Sequence, residues 1–345
     1  MMPPWRFIID RVVNRFITLL VLTIFSFFVF EVIPQAIGMK VAYIFAGVAP
    51  GSTRSAGSAS ALIAAATRTY DLNGPIPARL LKFIVNMFTG NYGVSVFFQK
   101  PVLQVVLQYL PNTLILATSS LALTSVLSII TGVVAAKSFL RSRRKLGDKS
   151  VSIASIGLYF VPALWISIIF YIYFADQLGL FPINLAQALT GLGSHNYTGI
   201  MYYLRYAWAA VLPVAVLTIT GFGHRQQLLR NNIIEEYTSS SHVEYARARG
   251  LDDRTIFYKH AFRNAILPWI TVVGLDVAFL IYGIFFVEYV FQFQGIGYAS
   301  TLAAQNLDMP FLIATTFMFG VYTLIVLFIL DFVLAKLDPR IRLGE

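Results

Sequence analysis

Apolar positions along this chain come in long unbroken runs rather than in the alternating stripes of a soluble helix or strand. Six runs stand out: Phe16–Ile33, Thr113–Ala136, Val151–Ala175, Tyr206–Gly223, Trp269–Val287 and Phe311–Leu330. Four hold no charged residue, the first contains Glu31 just before Pro34, and the fifth contains Asp276. A helix rises about 1.5 Å per residue and a bilayer core is about 30 Å thick, so each run is long enough to cross. The pattern predicts an all-α polytopic membrane protein with about six transmembrane helices.

The polar residues between the runs give an orientation. Arg6, Arg11 and Arg15 precede the first run, and the connection KSFLRSRRKLGDKS carries six Lys or Arg against one Asp. The fourth connection holds seven Lys or Arg, and Lys336, Arg340 and Arg342 follow the last run. By contrast, the third connection offers only Arg205, and the fifth, Glu288–Pro310, has no basic residue. Basic residues in alternate connections mark the cytoplasmic side, which predicts both termini inside. On this layout residues 1–34 form the N-terminal cytoplasmic end and first helix. Residues 35–110 form a long external segment. Residues 111–345 form a core with helices two to six and a cytoplasmic loop at 224–267.

Composition sharpens this picture. The 345 residues are 57% hydrophobic and 12% charged, about half the ~25% charge of a soluble domain. The net charge of +10 sits at the ends of apolar runs, where it orients helices, so membrane lipid and not nucleic acid is the expected surround. The absence of Cys removes thiolate chemistry and thiolate metal sites. In the external segment, GVAPGSTRSAGSASALIAAATRT reads as loop or loosely held helix. IPARLLKFIVNMF reads as a short helix with Arg79 and Lys82 a turn apart, suited to the outer interface. The first apolar run is long for a signal peptide and lacks an Ala-x-Ala site, so it reads as an uncleaved anchor.

Against this background one stretch is out of place: SSSHVEYARARGLDDRTIFYKHAFRNAILPW, Ser239 to Trp269, is dense in charge. Ser241-His242-Val243-Glu244 has the spacing of a capping box. Gly250 can turn left-handed and close that helix. Asp252 or Asp253 would cap a second helix, whose last turns carry Lys259, His260 and Arg263. Val243, Ala246 and Gly250 share one side and are small, which would let a partner approach closely. Arg247 and Arg249 point elsewhere. The same pattern also describes an ordinary solvated loop with well-capped helices.

Glu244-Tyr245-Ala246-x-x-x-Gly250 resembles the EAA loop of the membrane subunits of ATP-binding-cassette importers. The resemblance is closest to the dipeptide/oligopeptide permease branch and covers nearly the whole chain. It includes DLNGP (Asp71–Pro75), GNYGVS (Gly90–Ser95), LPNT (Leu110–Thr113), FVPALW (Phe160–Trp165) and GLFP (Gly179–Pro182). VEYVFQFQGIG (Val287–Gly297), Asp308-Met309-Pro310 and DPRIR (Asp338–Arg342) complete it. Departures are Pro34-Gln35-Ala36-Ile37-Gly38 in place of a Pro-Gly-Asp-Pro turn, Tyr245 in place of Ala, Phe293-Gln294-Gly295 in place of aromatic-Pro-Gly, and Asp276 where Gln is usual.

The resemblance implies a pore subunit that does no chemistry of its own. Its partners would be a second homologous permease, two cytoplasmic ATPase subunits that bind ATP and Mg, and an extracellular substrate-binding protein. The cargo would be peptides or oligosaccharides, and the location the cell membrane. ATPase coupling falls to Glu244, Tyr245, Ala246, Arg247, Arg249, Gly250 and Leu251, with the small row around Ala246 and Gly250 seated in the ATPase cleft. The alternative is a channel or secondary transporter that needs no ATPase.

Other chemistry finds little support. No G-x-x-x-x-G-K-[ST] is present to cradle ATP, and His195, His224, His242 and His260 lack metal-ligand spacing. No catalytic residue, cofactor or metal site is expected in this chain. Asp276 is the acid well inside an apolar span. It reads either as a functional group facing a cavity or as a packing acid at a subunit interface. Phe160, Pro162 and Trp165 either line the passage, with Pro162 breaking the helix, or serve ordinary helix packing, the reading we favour. Asn196-Tyr197-Thr198 is a sequon of a kind that recurs by chance.

Overall fold

The computed structural model describes residues 4–46, 56–70, 72–141, 146–190 and 197–337. Asp71, His195, Asn196 and the DPRIR segment lie outside the described residues. In chain order the helices are α1 (Pro4–Phe27), α2 (Val41–Phe45), α3 (Ala56–Tyr70), α4 (Ile76–Thr89), α5 (Val102–Arg141), α6 (Leu146–Tyr159) and α7 (Ala163–Phe170). They continue as α8 (Leu185–Leu189), α9 (Gly199–Ser239), α10 (Ser241–Ala248), α11 (Asp253–Thr255), α12 (Phe262–Val290), α13 (Ile296–Gln305) and α14 (Met309–Leu337). Among the described residues there is no strand, only an isolated bridge between Val94 and Pro101.

Among the described residues, five helical stretches are long and apolar enough to cross a membrane: Ile8–Ala36, Val102–Arg141, Gly199–Ser239, Asp253–Phe279 and Met309–Leu334. A sixth crossing would be the pair Lys149–Tyr159 and Ala163–Gln177, which is bent by 94°. The six apolar runs thus all reappear, but Val151–Ala175 is not one straight rod. Pro162 lacks an amide hydrogen and takes φ −59°, ψ 136° as the N-cap of α7, so the helix ends before it and restarts after it. Pro34 has a gentler effect. Ahead of it a π-helical turn, Phe28–Val32, lets the Ile33 amide donate to Phe28 O, and the helix runs on to Ala36.

The chain divides into two compact units. The first takes residues 4–113 and 294–332. Its core packs Phe27, Phe45, Phe83 and Met87 with Ile313 and Phe317. Arg79 on α4 is turned into the unit and not toward the surroundings that its spacing suggested. Its side chain is 3% exposed, and Nη2 and Nε donate to Glu31 Oε2 at 2.6 and 3.1 Å while Nη1 donates to Gln35 Oε1 at 2.9 Å. A guanidinium with a carboxylate one helix away pairs with it rather than snorkelling, because burying either charge alone is costly. In the same unit Asp308 accepts from Ser95 Oγ, from Phe97 N at 3.0 Å and from Phe311 N at 3.3 Å. Thr113 Oγ1 accepts from Ile296 N at 2.7 Å. These bonds join GNYGVS, LPNT, QGIG and DMP, segments far apart in sequence.

The second unit takes residues 114–293 with 333–337. Here α9 is approached by α5 and α6 at glycines. A Cβ on Gly132 would stand 3.2 Å from Gln226 O, and one on Gly223 only 2.2 Å from Ser155 O, so backbone lies against backbone. Leu229, Ile233, Phe257, Ala265 and Trp269 form a buried cluster beneath the loop after α9. Ile166, Leu212, Val216, Val287 and Phe291 form another along α7, α9 and α12.

Candidate functional site

The charged stretch after α9 folds as two short helices against the second unit. The capping box does not form. α9 runs on to Ser239, so Ser240 becomes the N-cap of α10, and its side chain makes no cap bond. Its hydroxyl donates instead to Glu236 Oε2 at 2.7 Å, a charged and therefore stronger acceptor. The far end of α10 closes as expected. Gly250 has φ +76°, its amide donates to Arg247 O at 2.9 Å, and the Leu251 amide donates to Ala246 O at 3.3 Å. Those two bonds are the 5→2 and 6→1 pair of a Schellman turn.

Asp252 then caps α11, accepting from Thr255 N at 3.1 Å. The Thr255 hydrogen bonds hold its carboxyl below the usual carboxylate range. From α11 the chain passes through π-helical turns at Ile256–Ala261 into α12.

Within the small row, Val243 and Ala246 turn inward, opposite to the expectation, while Gly250 stays exposed. Val243 and Ala246 are 0% and 3% exposed and pack against Ile256 and Ala261. An eight-residue helix cannot stand alone in water, and small side chains let it lie close on its own neighbour. Arg247 is likewise engaged within the chain. Its Nη2 donates to Tyr237 O at 3.0 Å, satisfying a carbonyl at the end of α9, and its guanidinium lies 4.5 Å over the Tyr237 ring. Tyr237 Oη donates to Asp253 Oδ1 at 3.1 Å, which ties α9 to α11.

What faces outward is Glu244, Tyr245, Arg249, Gly250 and Leu251, with Tyr245 67% exposed and Arg249 5.9 Å over its ring. Of the seven residues put forward for coupling, Ala246 is buried, Arg247 is exposed but bonded to the end of α9, and the other five are exposed. A contributor that sequence reasoning missed is Lys137 on α5. Its Nζ donates to Tyr258 Oη at 2.6 Å and sits over the Tyr258 and Phe257 rings. Its only signal was membership of the basic second connection. The exposed residues thus stand on a buried base of Val243, Ala246, Ile256 and Ala261. Among the described residues no group of His, Cys, Asp and Glu could hold a metal.

The apolar spans hold a second feature. Asp276 on α12 accepts from Arg225 Nε on α9 at 2.6 Å. The arginine side chain is 8% exposed and the aspartate 37%. Arg225 escaped attention because it follows an uncharged run and read as a basic flank. Phe160 and Trp165, around the break at Pro162, are 74% and 61% exposed, so packing within this chain does not account for them.

The family described as "Binding-protein-dependent transport system inner membrane component" matches residues 128–343. The dipeptide transport system permease protein of Lactococcus lactis is 31% identical over 275 residues, 79% of this chain and 83% of that one. The oligopeptide transport system permease protein of Bacillus subtilis gives the same identity and coverage. A probable peptide ABC transporter permease protein of Sinorhizobium fredii is 28% identical over 97% of this chain and 99% of its own length. A solved amino acid ABC transporter with histidines aligns with TM-score 0.47 and 15% identity, over 69% of this chain and 94% of that one. The chain thus belongs to the binding-protein-dependent transport system inner membrane components, the permease subunits of ATP-binding-cassette importers.

Proposed function

We propose that this permease imports peptides handed over by an extracellular binding protein. It forms the pore with a second, homologous permease, and two cytoplasmic ATPase subunits bind the ATP and Mg and drive the cycle. The termini and the 224–267 loop lie on the cytoplasmic side of the cell membrane, in keeping with the basic residues of alternate connections. Peptide cargo is supported by the relatives' names as dipeptide, oligopeptide and peptide permeases.

The observation that carries the coupling role is the outward face of α10. Glu244, Tyr245 and Arg249 project from a helix whose other side is buried and whose end is locked by the turn at Gly250. An exposed tyrosine beside an arginine is the composition of an interface hot spot. Force applied to this ridge passes through Ala246, Tyr237 and Ile256 into α9 and α12.

The test is co-purification of ATPase subunits and ATP-driven uptake of tri-alanine into membrane vesicles, for wild type, Glu244→Lys and Tyr245→Arg. Each variant is expected to lose about tenfold or more in both, as hot-spot truncations do. Unchanged association and uptake would sink the coupling role. Uptake of maltotriose with none of tri-alanine would sink the peptide assignment.

A further inference from the structure

An ionised carboxylate in a membrane-spanning helix is costly unless its charge is met. Asp276 is met only on one side. Oδ2 takes the Arg225 bond, while Oδ1 makes no hydrogen bond among the described residues and the side chain stays 37% exposed. Arg225 is fixed by comparison. Its side chain is 8% exposed, and Nη1 is buried without a hydrogen-bond partner among the described residues. A planar guanidinium anchored on α9 therefore sets the position of a carboxylate that looks outward from α12.

Asp276 does not look out alone. Phe279 and Phe286, one and three turns further along α12, are 56% and 59% exposed, and a Cβ on Gly283 would meet nothing within 4 Å. On the same turn of α9 as Arg225, His224 stacks on Tyr159 at 5.5 Å, which brings the break in the bent span, with exposed Phe160, to this part of the unit. A broken helix, exposed aromatic rings and one oriented charge are what a transporter presents to its substrate at membrane depth. Lipid would leave the carboxylate oxygen unsatisfied, whereas a water-filled passage or a cationic ligand would not.

We propose that Asp276 is the contact for the α-ammonium group of a peptide in transit, with Arg225 as its positioning residue. The ligand class follows from the site. An ammonium is a compact cation with three donors that fits a single free carboxylate oxygen, and every unmodified peptide carries one at its start. This inference rests on peptide cargo, and the experiment separates the two.

The assay is ATP-driven uptake into vesicles containing the whole transporter, comparing tri-alanine with N-acetyl-tri-alanine. The readout is the ratio of the two uptake rates. Discrimination by the binding protein is common to all variants and cancels between them. Asp276→Asn is expected to lower the ratio about tenfold or more, the worth of a charge-assisted hydrogen bond. Asp276→Glu should keep the preference for the free amino end, and Arg225→Lys, which retains charge but not the planar fork, should fall between.

A ratio in Asp276→Asn equal to that of wild type overturns the proposal, as does loss of the second permease from the purified complex, which would make Asp276 an assembly contact. Should Asp276→Asn fail to accumulate, Asp276→Glu decides. Loss of the preference there with normal ATP turnover overturns the proposal, and its retention supports it. If wild type takes up neither peptide, the cargo assignment falls first and this inference with it.

Discussion

Replacing Gly250 by alanine isolates the backbone contribution to the coupling loop. A Cβ at this position would meet nothing within 4 Å, so no steric clash accompanies the change. The cost is conformational. Gly250 holds φ +76°, where an L side chain meets its own carbonyl at about 1–2 kcal/mol. Asparagine tolerates that region better and should cost less. At 1–2 kcal/mol the closed turn loses about 5- to 30-fold in population relative to open forms. The amides that report it are those of residues 250 and 251, bonded to Arg247 O and Ala246 O. Hydrogen exchange on the purified transporter should show these amides faster by about that factor in Gly250→Ala, and less so in Gly250→Asn. ATPase co-purification should weaken in the same order. Equal exchange in wild type and Gly250→Ala would refute the argument that the turn is held by its left-handed residue.

Glu31→Gln leaves Arg79 buried without its counter-charge and should destabilise the purified protein by about 3–5 kcal/mol, seen as a lower melting temperature in detergent. Replacing both Glu31 and Arg79 by methionine should recover much of that loss, and a wild-type melting point in Glu31→Gln would contradict the pairing. Gly223→Ala puts a methyl 2.2 Å from Ser155 O and must part α6 from α9, at about 1–3 kcal/mol. Gly221→Ala, whose Cβ would stand 3.5 Å from Thr124, should melt like wild type, and equal effects at the two glycines would argue against backbone contact. The Asp252 carboxyl is held low by its bonds to Thr255, so its contribution to the cap is present above the ordinary value of 3.8 and is lost as pH falls through the lower folded value. On acidification below 3.8 the protection of the Thr255 amide relative to its intrinsic exchange rate should fall, and Asp252→Asn should remove that dependence.

The long apolar runs were enough to locate the five to six candidate crossings among the described residues, because a bilayer imposes a minimum length that run length reports. The turn at Gly250 and the cap at Asp252 were also legible, since each depends on a residue type acting within a few positions. The Ser241 capping box was not, and its failure is instructive. Three serines in a row, Ser239 to Ser241, offer alternative caps. Which one serves depends on where α9 stops and on Glu236, one turn upstream, capturing the hydroxyl. The facing of the small row was illegible for a related reason. Helical spacing puts Val243 and Ala246 on one side, but spacing cannot say whether that side meets a partner or the π-helical turns ending at Ala261.

Charge pairing shows the same boundary more sharply. Arg15, Arg79 and Arg225 entered the sequence argument as flanks, counted for the side of the membrane they mark or for their place on an interfacial helix. Each in fact meets an acid on a distant part of the chain: Asp331 at 3.0 Å, Glu31 at 2.6 Å and Asp276 at 2.6 Å. A count of basic residues is one-dimensional and survives ignorance of the fold, which is why it can orient helices. The identity of a partner is not one-dimensional, and function in this chain depends on it. Asp276 alone could be a packing acid or a gate. Once Arg225 is known to hold one oxygen of a side chain that stays 37% exposed, the carboxylate becomes the placed charge on which the proposal above rests. The measurable consequence is selectivity between two peptides that differ by one ammonium group.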